Sequence, residues 1–428
     1  MKTKLFLASL LAFSVNQTVL SQTDELGYTP VNLTMGPQYE NRVFFDLSAN
    51  NIVSQPANSW DVAFYRNSTM DFGERINDAK NVNVYQVSAN PSAFDTVTPA
   101  DKPNWGEPLY NPDQTTALQD GVFDNATLLP SSQFNYGWGS YDIVTHKITG
   151  KVVFVLEYGN GDYYKFFISE YYGGYTFKYA KWNGTSWDAT QTKTIANGSD
   201  DAFFNYFSFS TGAKVDNLEP AKANWDLMFT RYWTFYNGQM MYRLSGVIQS
   251  PNVSVAKVQP ENQATSTYTA PSATAYSNNI TTIGHSWKPT TGVYNDVVYY
   301  IKEGNSYYRM YFTSNGGSST GNMYFKYKNI TSELSVTDLG KKGSFGIYPN
   351  PTKEDKKINI LINIKETGSK NGNVEIFDLS GKKVYESLID KQSGFSAKEV
   401  DLNRLSSGVY LVKISYDGQT ETKKLVVK

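Results

Sequence analysis

The sequence predicts an all-β protein, and three observations carry that prediction. Tyrosine supplies 32 of the 428 residues, and with Val, Thr and Phe it favours half-buried pleated surfaces. Short runs of alternating apolar residues recur, separated by Gly, Asn, Asp and Ser turn formers. No stretch sustains the 3.6-residue period of a long amphipathic helix. The length exceeds what one hydrophobic core serves, so two or three domains are expected.

The N-terminus reads as a secretory leader over residues 1–21. Lys2 and Lys4 form its positive part, "LFLASLLAF" (5–13) its apolar part, and Ser21 a small residue at the cleavage position. That apolar run is too short to span a bilayer, and no later segment reaches about 20 apolar residues, so no transmembrane segment is expected. A net charge of −1 argues against electrostatic capture of nucleic acid. With no cysteine, disulfides, thiolate metal sites and cysteine nucleophiles are excluded.

An internal duplication follows. "NSWDVAFYRN" (58–67) returns as "ANWDLMFTRY" (223–232), each holding a Trp-Asp strand. Each is preceded by an aromatic strand, "NRVFFDLSAN" (41–50) or "NYFSFSTGAK" (205–214). Each is followed by a hairpin, turning at "GNGD" (159–162) or "EGNS" (303–306), and by a strand containing Phe-Lys-Tyr. Alternation places Trp60, Val62 and Phe64 on one apolar face, repeated by Trp225, Leu227 and Phe229, with Asp61 and Asp226 bonding a neighbouring strand or turn. In the paired tyrosines Tyr163–Tyr164, Tyr171–Tyr172 and Tyr307–Tyr308, one ring packs inward and the other can reach solvent, where it either fills cross-strand pairs, the favoured reading, or stacks on a sugar or a porphyrin. The polar segment 183–201 fits the junction between the halves.

Composition changes near 332–346. Beyond it there is no tryptophan, lysine is frequent, and "KINILINI", "NVEIFDLSGKKVYE" and "GVYLVKISYDGQTETKKLVVK" alternate cleanly, as in a small antiparallel sandwich. The segments "IYPNPTK" (347–353), "VEIFDLSGKKVY" (374–385), "LSSGVYLVKI" (405–414) and "KKLVVK" (423–428) closely resemble the C-terminal sorting domain of type IX secretion substrates. The resemblance implies an immunoglobulin-like sandwich over 343–428 and a source in the Bacteroidota. It also implies export by the type IX machinery, with release or attachment to surface lipopolysaccharide.

The duplicated part resembles the HmuY-like haemophores through "YFSFSTGAKV" (206–215), "ANWDLMFTRY" and "YNDVVYYIKEGNSYYRMYFTS" (294–314), and more weakly through "VFFDLSA" (43–49), "SWDVAFYRN" and "TGKVVFVLEYGNGDYYKFFIS" (149–169). This resemblance implies tandem antiparallel β-domains over 24–190 and 195–332 that bind haem. The best-known members use two histidines as axial ligands, whereas this chain has one in each half, His146 and His285. His285, in "TIGHSWKP", falls where one family histidine lies and is the first candidate axial ligand. The second ligand stays open. Met240 and Met241 ("NGQMMYRL") are weaker candidates in the second half, since methionine and tyrosinate also ligate haem iron. In the first half Tyr136 ("NYGWG") takes the place of His285 relative to its tryptophan, with Met70 the nearest loop methionine. His146, in "IVTHKITG", reads more plainly as a structural histidine.

G-x-S-x-G and H-E-x-x-H are absent, no glycine-rich loop opens a helix, and no carboxylate spacing proposes a catalytic pair, so an enzyme is not expected. The expectation is a secreted or surface-anchored binding protein for haem or a related porphyrin. The alternative is a surface adhesin, or a glycan- or protein-binding protein, that keeps the fold without haem.

Overall fold

The computed structural model describes residues 23–266, 268–331, 343–364, 371–390, 394–416 and 419–428; the expected leader lies outside them. The chain is all-β, 49% strand and 7% helix. It forms two compact units, Met1–Lys328 and Asn329–Lys428.

Within the first unit, each Trp-Asp strand pairs with the aromatic strand of the other copy. Val62–Tyr65 lies between Phe204–Ser208 and Glu74–Ile76, and Leu227–Tyr236 lies between Asn41–Asp46 and Met240–Gln249. The registers correspond: Phe207 faces Val62, and Phe45 faces Leu227. Thr29–Thr34, at the start of the first half, likewise pairs with Asn322–Asn329, near the end of the second. The pairing therefore crosses the boundary expected between 190 and 195. The two copies offer partner strands of the same aromatic, alternating pattern, so local pattern alone leaves open which copy is used.

Two further sheets complete the layers. The expected hairpins form as Val153–Tyr158 with Tyr163–Tyr171, and Val298–Glu303 with Ser306–Asn315. The first belongs to an eight-stranded sheet that encloses a core with the Val62–Tyr65 sheet, including Phe64, Phe154, Phe166, Phe177 and Trp138. The second belongs to a five-stranded sheet that encloses another core with the Leu227–Tyr236 sheet, including Phe45, Phe229, Trp287, Phe312 and Phe325. Within the segment read as a junction, Gln191–Ala196 is an edge strand of the eight-stranded sheet.

The tryptophans depart from the expected alternation. Val62 and Phe64 enter the first core, and Leu227 and Phe229 the second, but Trp60 and Trp225 join a third cluster with Phe44, Ala63, Tyr206 and Ile248. The strands begin only at Val62 and Leu227, so period-2 alternation does not extend back to the tryptophan. The intervening aspartates bond the other copy, as expected of them. Asp61 accepts from Phe209 N–H and Asp226 from Leu47 N–H, each at 2.7 Å. The tyrosine pairs also fall as expected: Tyr164 and Tyr308 are buried, while Tyr163 and Tyr307 are half-buried.

The second unit is a small sandwich. Gly343–Tyr348, Lys357–Ile364 and Gly394–Asp401 form one sheet; Lys383–Ile389, Gly372–Phe377, Gly408–Tyr416 and Gln419–Val427 form the other. Ile358, Ile360, Val374, Ile376, Val412 and Leu425 fill its core.

Candidate functional site

The structure gathers three residues of the first half that sequence spacing leaves apart. Met70, Tyr136 and His146 line one cavity of about 330 Å³, together with Phe72, Tyr141, Ile148 and Tyr171. A hairpin presents the histidine: Gly139–Asp142 pairs with Lys147–Gly150. Asp142 caps the turn by accepting from the N–H groups of Val144 and Thr145 at 2.8 and 3.1 Å. His146 itself is left-handed, φ 57°, a conformation uncommon outside glycine and one that recurs at ligand clamps. Its Nδ1 lies 2.7 Å from the Tyr141 hydroxyl. Such a partner orients a ligating imidazole and frees Nε2. Phe72 meets Tyr136 edge-on at 5.0 Å and lies 5.6 Å from Tyr171, giving the cavity aromatic walls. Met70, half exposed, stands at the mouth.

His285 lies elsewhere, with a comparable partner. Its Nδ1 is 2.9 Å from the hydroxyl of buried Tyr232, and its ring centroid is 5.8 Å from that of Tyr236. Burial, then nearby Lys288, lowers its pKa, so the ring is neutral at pH 7. Of the two methionines, cross-strand pairing puts Met240 opposite Tyr236, on the side His285 approaches, and Met241 opposite Phe235, on the other face. Met240 is 58% exposed on an open hairpin. The structure therefore separates His285 from Tyr136 and completes a cavity around His146, the histidine the sequence ranked lower. Tyr171 was read only as one of the paired strand tyrosines, and Phe72 and Tyr141 went unread as site residues. The available signal was the Asp142 turn that places a tyrosine and a histidine at adjoining hairpin positions.

A buried acid pair adjoins these walls in sequence. Glu74, two residues after Phe72, is fully buried beside Asp124, Tyr175 and Trp138. Asp124 accepts from the N–H of Gly121 at 2.9 Å and of Glu74 at 3.3 Å. Burial, then adjacent Asp124, raises the Glu74 pKa strongly, and burial raises Asp124 to about 6. Glu74 is the neutral partner. Among the described residues no group of three or more His, Asp and Glu side chains is arranged to hold a metal ion.

Comparison with known proteins identifies the tail. The profile of the secretion system C-terminal sorting domain matches residues 346–428. No curated protein matches the chain. The tail directs the protein to the type IX secretion machinery, and so to the outer surface or the medium. No helix among the described residues is long and apolar enough to cross a membrane.

Proposed function

We propose that this exported chain is a non-enzymatic binding protein, in the manner of the HmuY-like haemophores, that holds haem or a related porphyrin at the His146 cavity. One observation carries the reading: the first half's single histidine and a loop methionine border the same aromatic-walled cavity. The donor set fits the group, because imidazole with thioether is an established axial pair for haem iron. The volume is at the low end for ligand pockets and the mouth is open, so the cavity would grip part of the macrocycle and leave an edge outside. In this reading Tyr141 orients the imidazole, Met70 closes from the mouth, and Phe72, Tyr136 and Tyr171 supply ring contacts and exclude water. Haem would supply an iron that binds imidazole and thioether donors, which His146 and Met70 would offer.

The test is a haemin titration of the chain without its leader, followed at the Soret band. A saturable red shift at one equivalent is expected. A featureless, non-saturable change would remove haem and leave the surface adhesin or glycan- or protein-binding reading. Whether the exported protein is released or held by surface lipopolysaccharide follows from fractionating cells and medium.

A further inference from the structure

A second recognition site lies in the first unit, with a lining unlike that of the aromatic cavity. Two grooves of about 530 and 520 Å³ adjoin, with Tyr164, Lys181 and Ser210 lining both, and together make up a channel. Each alone is of ligand-binding size.

Its charges are mostly neutralised from within. Lys80 pairs with Asp61 at 2.6 Å, and Lys181 with Asp162 at 3.1 Å. The first groove carries three cations (Lys80, Lys181, Arg243) against two carboxylates (Asp61, Asp162), and the second two (Lys181, Lys193) against one (Asp188). Lys181 lines both, so the channel as a whole carries four cations against three carboxylates, a net +1. Arg243 donates to the backbone oxygens of Asp78 and Ala79 at 3.1 and 2.8 Å, and among the described residues neither it nor Lys193 makes an ion pair with a carboxylate. The remaining lining is rich in uncharged hydrogen-bonding groups, including Asn58, Asn160, Gln191 and Thr211. Tyr164 and Tyr179 stack on Phe209 at 5.2 and 4.7 Å, which fixes the ring edges that border the channel.

We propose that this channel binds an acidic oligosaccharide, its carboxylates meeting Arg243 and Lys193 and its hydroxyls meeting the amide and phenol groups between them. An apolar ligand would leave the amide, phenol and cationic groups of the lining without partners. One net charge over the whole channel is too little for nucleic acid, which presents a phosphate at every step. A sugar chain with spaced carboxylates matches both features.

The test is calorimetry on the chain without its leader, using oligogalacturonate and, as the neutral counterpart, a dextran oligomer. Oligogalacturonate is expected to bind saturably and more weakly as salt rises, with dextran at least roughly ten-fold weaker. Arg243→Gln and Lys193→Gln should each lose roughly ten-fold, the effect of one charge-assisted hydrogen bond, at unchanged Tm. Should R243Q lower the Tm, K193Q decides, since its side chain anchors no backbone. Equal binding of the two saccharides, no binding of either, or wild-type affinity in K193Q with a folded R243Q overturns the proposal.

Discussion

The two copies of the Trp-Asp strand share a backbone plan and differ in what surrounds it. Asp61 and Asp226 each clamp a backbone N–H from the opposite copy at the same distance. Asp61 also receives Lys80 Nζ at 2.6 Å and the Tyr158 hydroxyl at 2.9 Å. Asp226 makes no ion pair among the described residues, and burial pushes its pKa up to about 7. The backbone exchange specifies the fold and is repeated. The electrostatic environment of the clamp is free to drift, and it has. The histidines repeat the lesson, since each meets a tyrosine hydroxyl through Nδ1, but His146 borders the aromatic-walled cavity while His285 packs against Tyr232 and Tyr236.

Separating the copies should have the largest effect. A fragment ending at residue 190 lacks Phe204–Ser208, and one starting at 195 lacks Thr29–Thr34 and Asn41–Asp46. Each alone would expose a core-facing strand edge, so neither should give a cooperative unfolding transition, and mixing them should restore one. Independent cooperative folding of both would break the exchange account.

Next comes the better-supported clamp. Asp61→Ala leaves Lys80 and Tyr158 facing a buried gap and should cost about 3–5 kcal/mol in urea unfolding. A loss under about 1 kcal/mol would show that the lysine and tyrosine add nothing to the backbone bond.

A smaller effect is the pH dependence. Asp226 (about 7), Asp78 and Asp124 (about 6) and Glu74 all have pKa values raised, chiefly by burial. Carboxyls raised in the fold stabilise it below their unfolded values and lose that stability as pH rises through the folded ones. Glu219 is raised likewise, while His285 and Lys288 (about 8), both lowered, act in the opposite sense, two groups against five. Thermal stability of the first unit should therefore fall from pH 5 to pH 8. Asp226→Asn should change it by less than about 1 kcal/mol at pH 5 and raise it at pH 9, where the wild-type carboxyl must ionise in place. A Tm that rises steadily from pH 5 to pH 8 would contradict these assignments.

Much of this architecture was legible in the sequence because its signals are local. The hairpins at "GNGD" and "EGNS", the duplication and the sorting tail each rest on contiguous residues. The exchange was not legible, because "VFFDL" and "YFSFS" suit either Trp-Asp strand equally well. The tryptophan face misled because alternation was carried back past the strand's first residue. The cavity was half legible: Tyr136, Met70 and His146 were all singled out, but only tertiary folding of three separate segments brings them together. Nothing local marked Glu74 and Asp124, whose pairing depends on burial.

The central claim is that His146, rather than His285, holds the ligand. Its most direct test is the Soret titration repeated on His146→Ala and His285→Ala, with each variant's fold checked by circular dichroism. The account predicts loss of the saturable shift in H146A and wild-type behaviour in H285A. The reverse pattern, with H285A silent and H146A unaffected, would contradict it.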